Sequence, residues 1–140
     1  NKLKKIIIKF KKARIRTSLF VNPSLKDIKL SRALGVDCVE IHTGKLSNKV
    51  KSKKKYNIEL KRIKKSSKLA NSLGIEVHAG HGLDYNTTKL LSKIKEIYEY
   101  NIGHFIIGES VFHGLSQVIK NFKKLLKWYE NSWNWGRHNW

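Results

Sequence analysis

Strand-like and helix-like segments alternate along this chain at about thirty-residue spacing, which predicts an α/β fold of parallel βα units. Two further observations support that class. The short β-branched runs alternate apolar with polar residues, and amphipathic stretches of helical period follow them. Glycines stand where strands hand over to helices, as in "HTGK", "AGHG" and "NIGH".

The elements follow in order. Residues 2–13 are read as a helix with Leu3, Ile6, Ile7 and Phe10 on one side. "RTSLFV", 16–21, is a short strand, and Pro23 and Ser24 suit a turn and a helix start. The helix of residues 24–35 carries Leu25, Ile28, Leu30 and Leu34 and closes on a glycine. "VDCVEIHTG", 36–44, alternates into a strand, and "KLSNKVKSKKKY" is expected to be a charged loop. A long helix through "NIELKRIKKSSKLANSLG" leads to a strand at "IEVHAG", 75–80. "TTKLLSKIKEIYEYN" is read as a helix with Thr87 or Thr88 as its cap, and "IGHFIIG", 102–108, as the last strand. "ESVFHGLSQVIKNFKKLLKWYE" closes as a helix, in two pieces around Gly114.

About four βα units result, whereas a closed (β/α)₈ barrel takes eight and roughly 250 residues. The leading helix has the place of the tail of an earlier unit. Residues 1–130 are therefore expected to form the second half of a (β/α)₈ TIM barrel, a single domain. In the final "NSWNWGRHNW", 131–140, periodicity is lost and a loose tail is expected.

Composition narrows the function. No apolar run approaches the roughly 20 residues of a membrane span, and no signal-peptide pattern opens the chain. The one cysteine, Cys38, precludes an internal disulfide and fits a reducing cytosol. Methionine is absent, so the chain is expected to be processed, trimmed or a fragment. The net charge of +20 suggests a nucleic-acid binder. Against that, arginine, the better residue for phosphate and base edges, occurs only at Arg14, Arg16, Arg32, Arg62 and Arg137. Lysine-rich helix faces of an AT-rich genome account for the charge more simply than a selected basic patch.

Three strand ends can carry chemistry, because function in parallel α/β folds collects there. In "VEIHTG", Val39 and Ile41 share one face, leaving Glu40 and His42 on the other. In "IEVHAGHG", Ile75, Val77 and Ala79 form the packed face while Glu76 and His78 face away. His81 then stands on a corner between Gly80 and Gly82, displayed for proton transfer near neutral pH. In "NIGHFIIGES", Gly103 and His104 open the predicted strand, and Gly108 is expected at a helix entrance suited to a phosphate. The histidines show no metal-ligand spacing along one helix and no CxxC exists, so no metal is expected.

Together, "SLFVNPS", "ALGVDCVEIHTG", "LGIEVHAGHGLDYN" and "NIGHFIIGESV" resemble the C-terminal half of the pyridoxine 5'-phosphate synthase family, in register from about residue 2 to about residue 128. The resemblance implies condensation of 3-amino-2-oxopropyl phosphate with 1-deoxy-D-xylulose 5-phosphate and closure of a pyridine ring, in vitamin B6 biosynthesis. By that resemblance His81 is the proton donor and Glu40 the carboxylate that stabilises the transition state. Gly82, Gly103 and His104 bind the phosphorylated aminoketone. No metal or organic cofactor is implied. The partners implied are phosphorylated small molecules and further copies of the chain, an octamer in the family, in the cytoplasm, with no specific nucleic acid and no membrane.

The family's first-half residues have no counterpart here, among them an Asn-x-Asp-His segment, phosphate-binding arginines and two further bases. The 140 residues alone are therefore not expected to turn over substrate. Two rival readings remain: another phosphate-sugar TIM-barrel enzyme, and a basic α/β module that binds nucleic acid through charge.

Overall fold

The computed structural model describes residues 2–130, so the tail expected at 131–140 lies outside the described residues. Helix α1 (Lys2–Lys12) precedes strand β1 (Ser18–Val21) and helix α2 (Leu25–Leu34). Strand β2 (Cys38–His42) is followed by α3 (Gly44–Lys51) and α4 (Asn57–Ser72). Strand β3 (Glu76–Gly80) leads through α5 (Tyr85–Leu91) to β4 (Ile97–Asn101), and α6 (His104–His113) and α7 (Leu115–Glu130) close the described chain.

The four strands form one sheet in the order β1-β2-β3-β4, with every neighbouring pair parallel. The α/β class and the parallel units expected from the sequence are therefore present. Strand order equals chain order, so each crossover advances the sheet in the same direction, and right-handed crossovers then stack the helices on one face. That face is apolar. Val39 and Ile41 of β2 and Val77 and Ala79 of β3 join Ile28 of α2, Ile63 and Ala70 of α4 and Leu91 of α5 in one core.

The opposite face is polar because strand side chains alternate. Register aligns Cys38 with Glu76, Glu40 with His78 and His42 with Gly80, while β4 sets Glu99 beside His78 and Asn101 beside Gly80. A register irregularity between Val77 and His78 adjusts β4 to its neighbour.

Local chemistry explains the ends of α2. The Ser24 side chain accepts from the Asp27 N–H, and Gly35, at φ 81°, closes the helix with its N–H on the Arg32 and Ser31 carbonyls.

Four expectations are corrected. Gly44, expected to end the strand, and residues 45–51, expected to lie in a charged loop, are helix α3. Leu46 and Val50, one turn apart, turn inward there, and Leu46 is wholly buried beneath the lysines. The helix expected over 87–101 stops at Leu91, and residues 97–101 are strand β4. "IYEYN" has the β-branched and aromatic content that strands favour, and its polar positions Glu99 and Asn101 continue the polar face of β3. Asp84, not Thr87 or Thr88, caps α5, its Oδ1 accepting from the Thr87 N–H at 2.8 Å.

The last expected strand, 102–108, is instead the turn and opening of α6. The apolar run "HFIIG" winds around a helix rather than along a sheet, so Gly108 falls inside α6 and Gly103 takes the entrance position. The break at Gly114 between α6 and α7 is as expected, with that glycine at φ 76°.

Candidate active site

The polar ends of β2, β3 and β4 converge on one cavity of about 590 Å³. Its walls include Glu40, His81, Gly82, Gly103 and His104, so all five residues singled out from the sequence meet at one place. Phe20 of β1, Lys51 of α3 and Asn101 of β4 complete much of the rest. The size suits a small phosphorylated metabolite.

Glu40 is held from two sides. Asn101 Nδ2 donates to its Oε2 at 2.8 Å, across the full breadth of β3. Its other oxygen lies over Gly80, where any Cβ would overlap the carboxylate. Gly80 is therefore a requirement of space. The amide leaves Oε1 as the oxygen without that bond.

His81 occupies the left-handed region at φ 78°, which is costly for a residue with a side chain. Thr43, fully buried at the start of α3, holds it there. The Thr43 N–H donates to the Gly80 carbonyl at 2.9 Å, and its hydroxyl lies 2.7 Å from both the Gly80 and the His81 carbonyl oxygens. The next residue, Gly82, also has positive φ, at 75°, and a Cβ there would press on Ser47 of α3 at 3.3 Å. The "AGHG" corner is thus a strained turn braced by the helix that follows β2.

His42 enters this corner as well. Its ring stacks on that of His81, centroids 4.6 Å apart and planes at 23°. Burial, then the neighbouring His81, lowers its pKa below the ordinary 6.5. Gly103 and His104 stand at the entrance of α6, whose first backbone N–H groups have no partner within the helix. An anion in the cavity would meet that positive end.

Deeper on the same sheet face lies a second polar group. The Arg16 guanidinium reaches Cys38 Sγ at 3.1 Å and Glu76 Oε2 at 2.9 Å. His78 Nε2 lies 2.8 Å from Glu76 Oε1, and its Nδ1 lies 3.3 Å from Glu99. Burial pushes the Glu76 pKa up, but the bonds to His78 and Arg16 outweigh it and hold the carboxyl low. Burial raises the Cys38 thiol pKa, with Arg16 opposing. Donor atoms of Cys38, Glu76 and His78 fall within 4.8 Å of one another, a grouping that spacing along one helix could not reveal. Arg16 already supplies the positive charge a metal ion would bring there.

Sequence reasoning missed Asn101 and Thr43. Both lie inside quoted motifs, Asn101 in "NIGHFIIGES" and Thr43 in "VEIHTG", but their partners lie 61 and 37–38 residues away in the chain. Only the parallel register brings such pairs together.

These features define the class first: an α/β protein whose strand ends build one polar, histidine-bearing cavity. The family model described as Pyridoxal phosphate biosynthesis protein PdxJ matches residues 1–128, and the chain belongs to that family. It is 61% identical over 124 residues to the pyridoxine 5'-phosphate synthase of Pelagibacter ubique (strain HTCC1062), covering 89% of this chain and 52% of that protein. The synthase of Zymomonas mobilis subsp. mobilis is 45% identical over 124 residues, covering 89% and 48%. That of Blochmanniella floridana is 42% identical over 127 residues, covering 91% and 51%. The chain spans about half the length of the curated relatives it matches.

Proposed function

We propose that this chain supplies the C-terminal half of a pyridoxine 5'-phosphate synthase, its four-stranded sheet forming half the wall of a (β/α)₈ barrel. The observation that carries the reading is the meeting of Glu40, His81, Gly82, Gly103 and His104 around one cavity, in a chain of this family. Sequential, all-parallel strand order is what a barrel wall requires. The family match favours the synthase over another phosphate-sugar enzyme or a nucleic-acid-binding module.

In this reading the phosphate of 3-amino-2-oxopropyl phosphate lies at the α6 entrance, against the backbone of Gly82 and Gly103 and the His104 imidazole. The amine then points toward the strand ends, where 1-deoxy-D-xylulose 5-phosphate presents its carbonyl. Imine formation expels water, and the His81 imidazole delivers the proton that makes hydroxide a water leaving group. The protonated imine carries positive charge, and the Glu40 carboxylate, held by Asn101, stabilises it. The remaining proton carriers belong to the other half-barrel. Both substrates are anions, so the net charge of +20 favours their approach.

A cytoplasmic homo-oligomer is part of the same reading. Exposed Ile107, Val111 and Phe112 on α6 support self-association, and the lone free thiol of Cys38 fits a reducing compartment. Among the described residues no helix is long and apolar enough to cross a membrane.

The test is a chimera in which the matched segment replaces its counterpart in the Pelagibacter ubique synthase. It should form pyridoxine 5'-phosphate from the two substrates, and His81→Ala should cut its turnover by about 10²–10⁴-fold. A folded chimera without activity, or one indifferent to His81→Ala, would refute the assignment.

A further inference from the structure

His42 is the residue of the "EIHTG" motif to which the proposed chemistry assigns nothing, yet it is the nearest ring to His81. The two imidazoles stack at 4.6 Å and 23°. Three residues lie against them in that arrangement. Phe20 of β1 packs against His42 at 5.1 Å and lies 6.4 Å from His81. Gly44, opening α3, passes directly beneath both rings: a Cβ there would stand 2.7 Å from His42 Cε1 and 2.7 Å from His81 Cδ2. Thr43, between His42 and Gly44, grips the His81 carbonyl. Phe20 and the start of α3 thus border the stacked pair on two sides.

We propose that His42 is a positioning residue for His81: its stacked ring fixes the direction in which the His81 imidazole presents its proton, and the two rings resist carrying a proton each. The inference rests on the reading of His81 as the proton donor. Two imidazolium rings in van der Waals contact repel each other, so protonation of one opposes protonation of the other. His42 is the ring disposed to remain neutral. Its burial is the larger cause and His81 the next, with Lys45 of α3 acting in the same direction and Glu40 of β2 against them. Lys51 of α3 and His104 of α6 face the same cavity as His81, while β1 and β4 contribute there only the uncharged Phe20 and Asn101.

The experiment is an NMR titration of the imidazole signals in the 140-residue chain, with variants His42→Phe, His42→Ala and His81→Asn. Asparagine is chosen at position 81 because it tolerates the left-handed backbone there. His81→Asn should raise the His42 midpoint, because the repelling neighbour is gone. His42→Ala should abolish the ring-current shift of the His81 protons and average its side-chain rotamers, whereas His42→Phe, which keeps a ring in the stack, should preserve a single rotamer. An unmoved His42 midpoint in His81→Asn overturns the proposal, as does an unchanged His81 ring in His42→Ala. Should His42→Ala fail to fold, His81→Asn and His42→Phe decide alone: rotamer averaging of His81 in the Phe variant also overturns it. Turnover of the His81→Ala chimera separately tests the role of His81, so failure of that reading is distinguishable from failure of this one.

Discussion

Replacing Gly80 with alanine should evict the Glu40 carboxylate from its seat on the sheet. The new methyl group would overlap the Glu40 side-chain oxygen, and the flexible end of the glutamate is what can move. Moving it breaks the 2.8 Å bond from Asn101. A hydrogen bond to a charged group contributes about 1.5–3 kcal/mol, and the lower end applies at this partly open site. Alanine in a strand recovers about 0.5–1 kcal/mol relative to glycine, leaving a net loss of about 0.5–1 kcal/mol. In an Asn101→Ala background the bond is already absent, so the same change should be neutral or slightly stabilising. The contact of the new methyl with the Cβ at position 101, at 3.2 Å, is common to both backgrounds and cancels. Urea unfolding of the four proteins therefore should give a coupling of about 1.5 kcal/mol. Equal effects of Gly80→Ala in the two backgrounds, within about 0.3 kcal/mol, would refute the idea that Gly80 exists to seat Glu40.

Further outcomes follow from the same geometry. Thr43→Val removes a buried hydroxyl from two carbonyls and should cost about 1–3 kcal/mol, with faster amide exchange at His81 and Gly82, while Thr43→Ser should retain most of the stability. Ile63, 1% exposed between α4 and the sheet, should cost about 2–5 kcal/mol on change to alanine, read by denaturant midpoint. Acidification should destabilise the fold in two stages. The unfolded chain protonates at the position of His42 more readily than the folded chain does, so stability is full above pH 6.5 and falls as pH drops below it. Glu76 is depressed in the folded state, so its contribution is present above pH 4.5 and is lost as pH falls through its folded value. Thermal unfolding across that range should show the first stage disappear in His42→Phe.

Much of the site was legible because the strands alternate. "VEIHTG" and "EVHAG" each place their polar residues on one face, and parallel pairing then sets Glu40 beside His78 and His42 beside Gly80. The last third of the chain was misread for a physical reason. "IYEYN" and "HFIIG" are both short apolar runs, and a run of five residues cannot distinguish a strand from one turn and a half of helix. What decides is tertiary: Glu99 and Asn101 find partners on β3 and β2, whereas "HFIIG" is taken into α6, which packs on α7. Helix α3 was hidden because the six lysines of residues 45–55 outweigh Leu46 and Val50 in any compositional view, although Leu46 is completely buried. The Arg16 cluster was invisible because its members come from the segment before β1 and from β2, β3 and β4.

The polar sheet face has a consequence for how the chain finds its alignment. A slip of β3 by one residue against its neighbours would drive Glu76 and His78 into the apolar layer under α4 and turn Val77 and Ala79 toward the cavity. Each polar side chain therefore acts as a pin that penalises every odd-numbered misalignment. The residues of the polar face thus also serve as a ruler for assembling the sheet. Blunting several of them at once, even conservatively, should leave a protein that folds more slowly and into more than one arrangement.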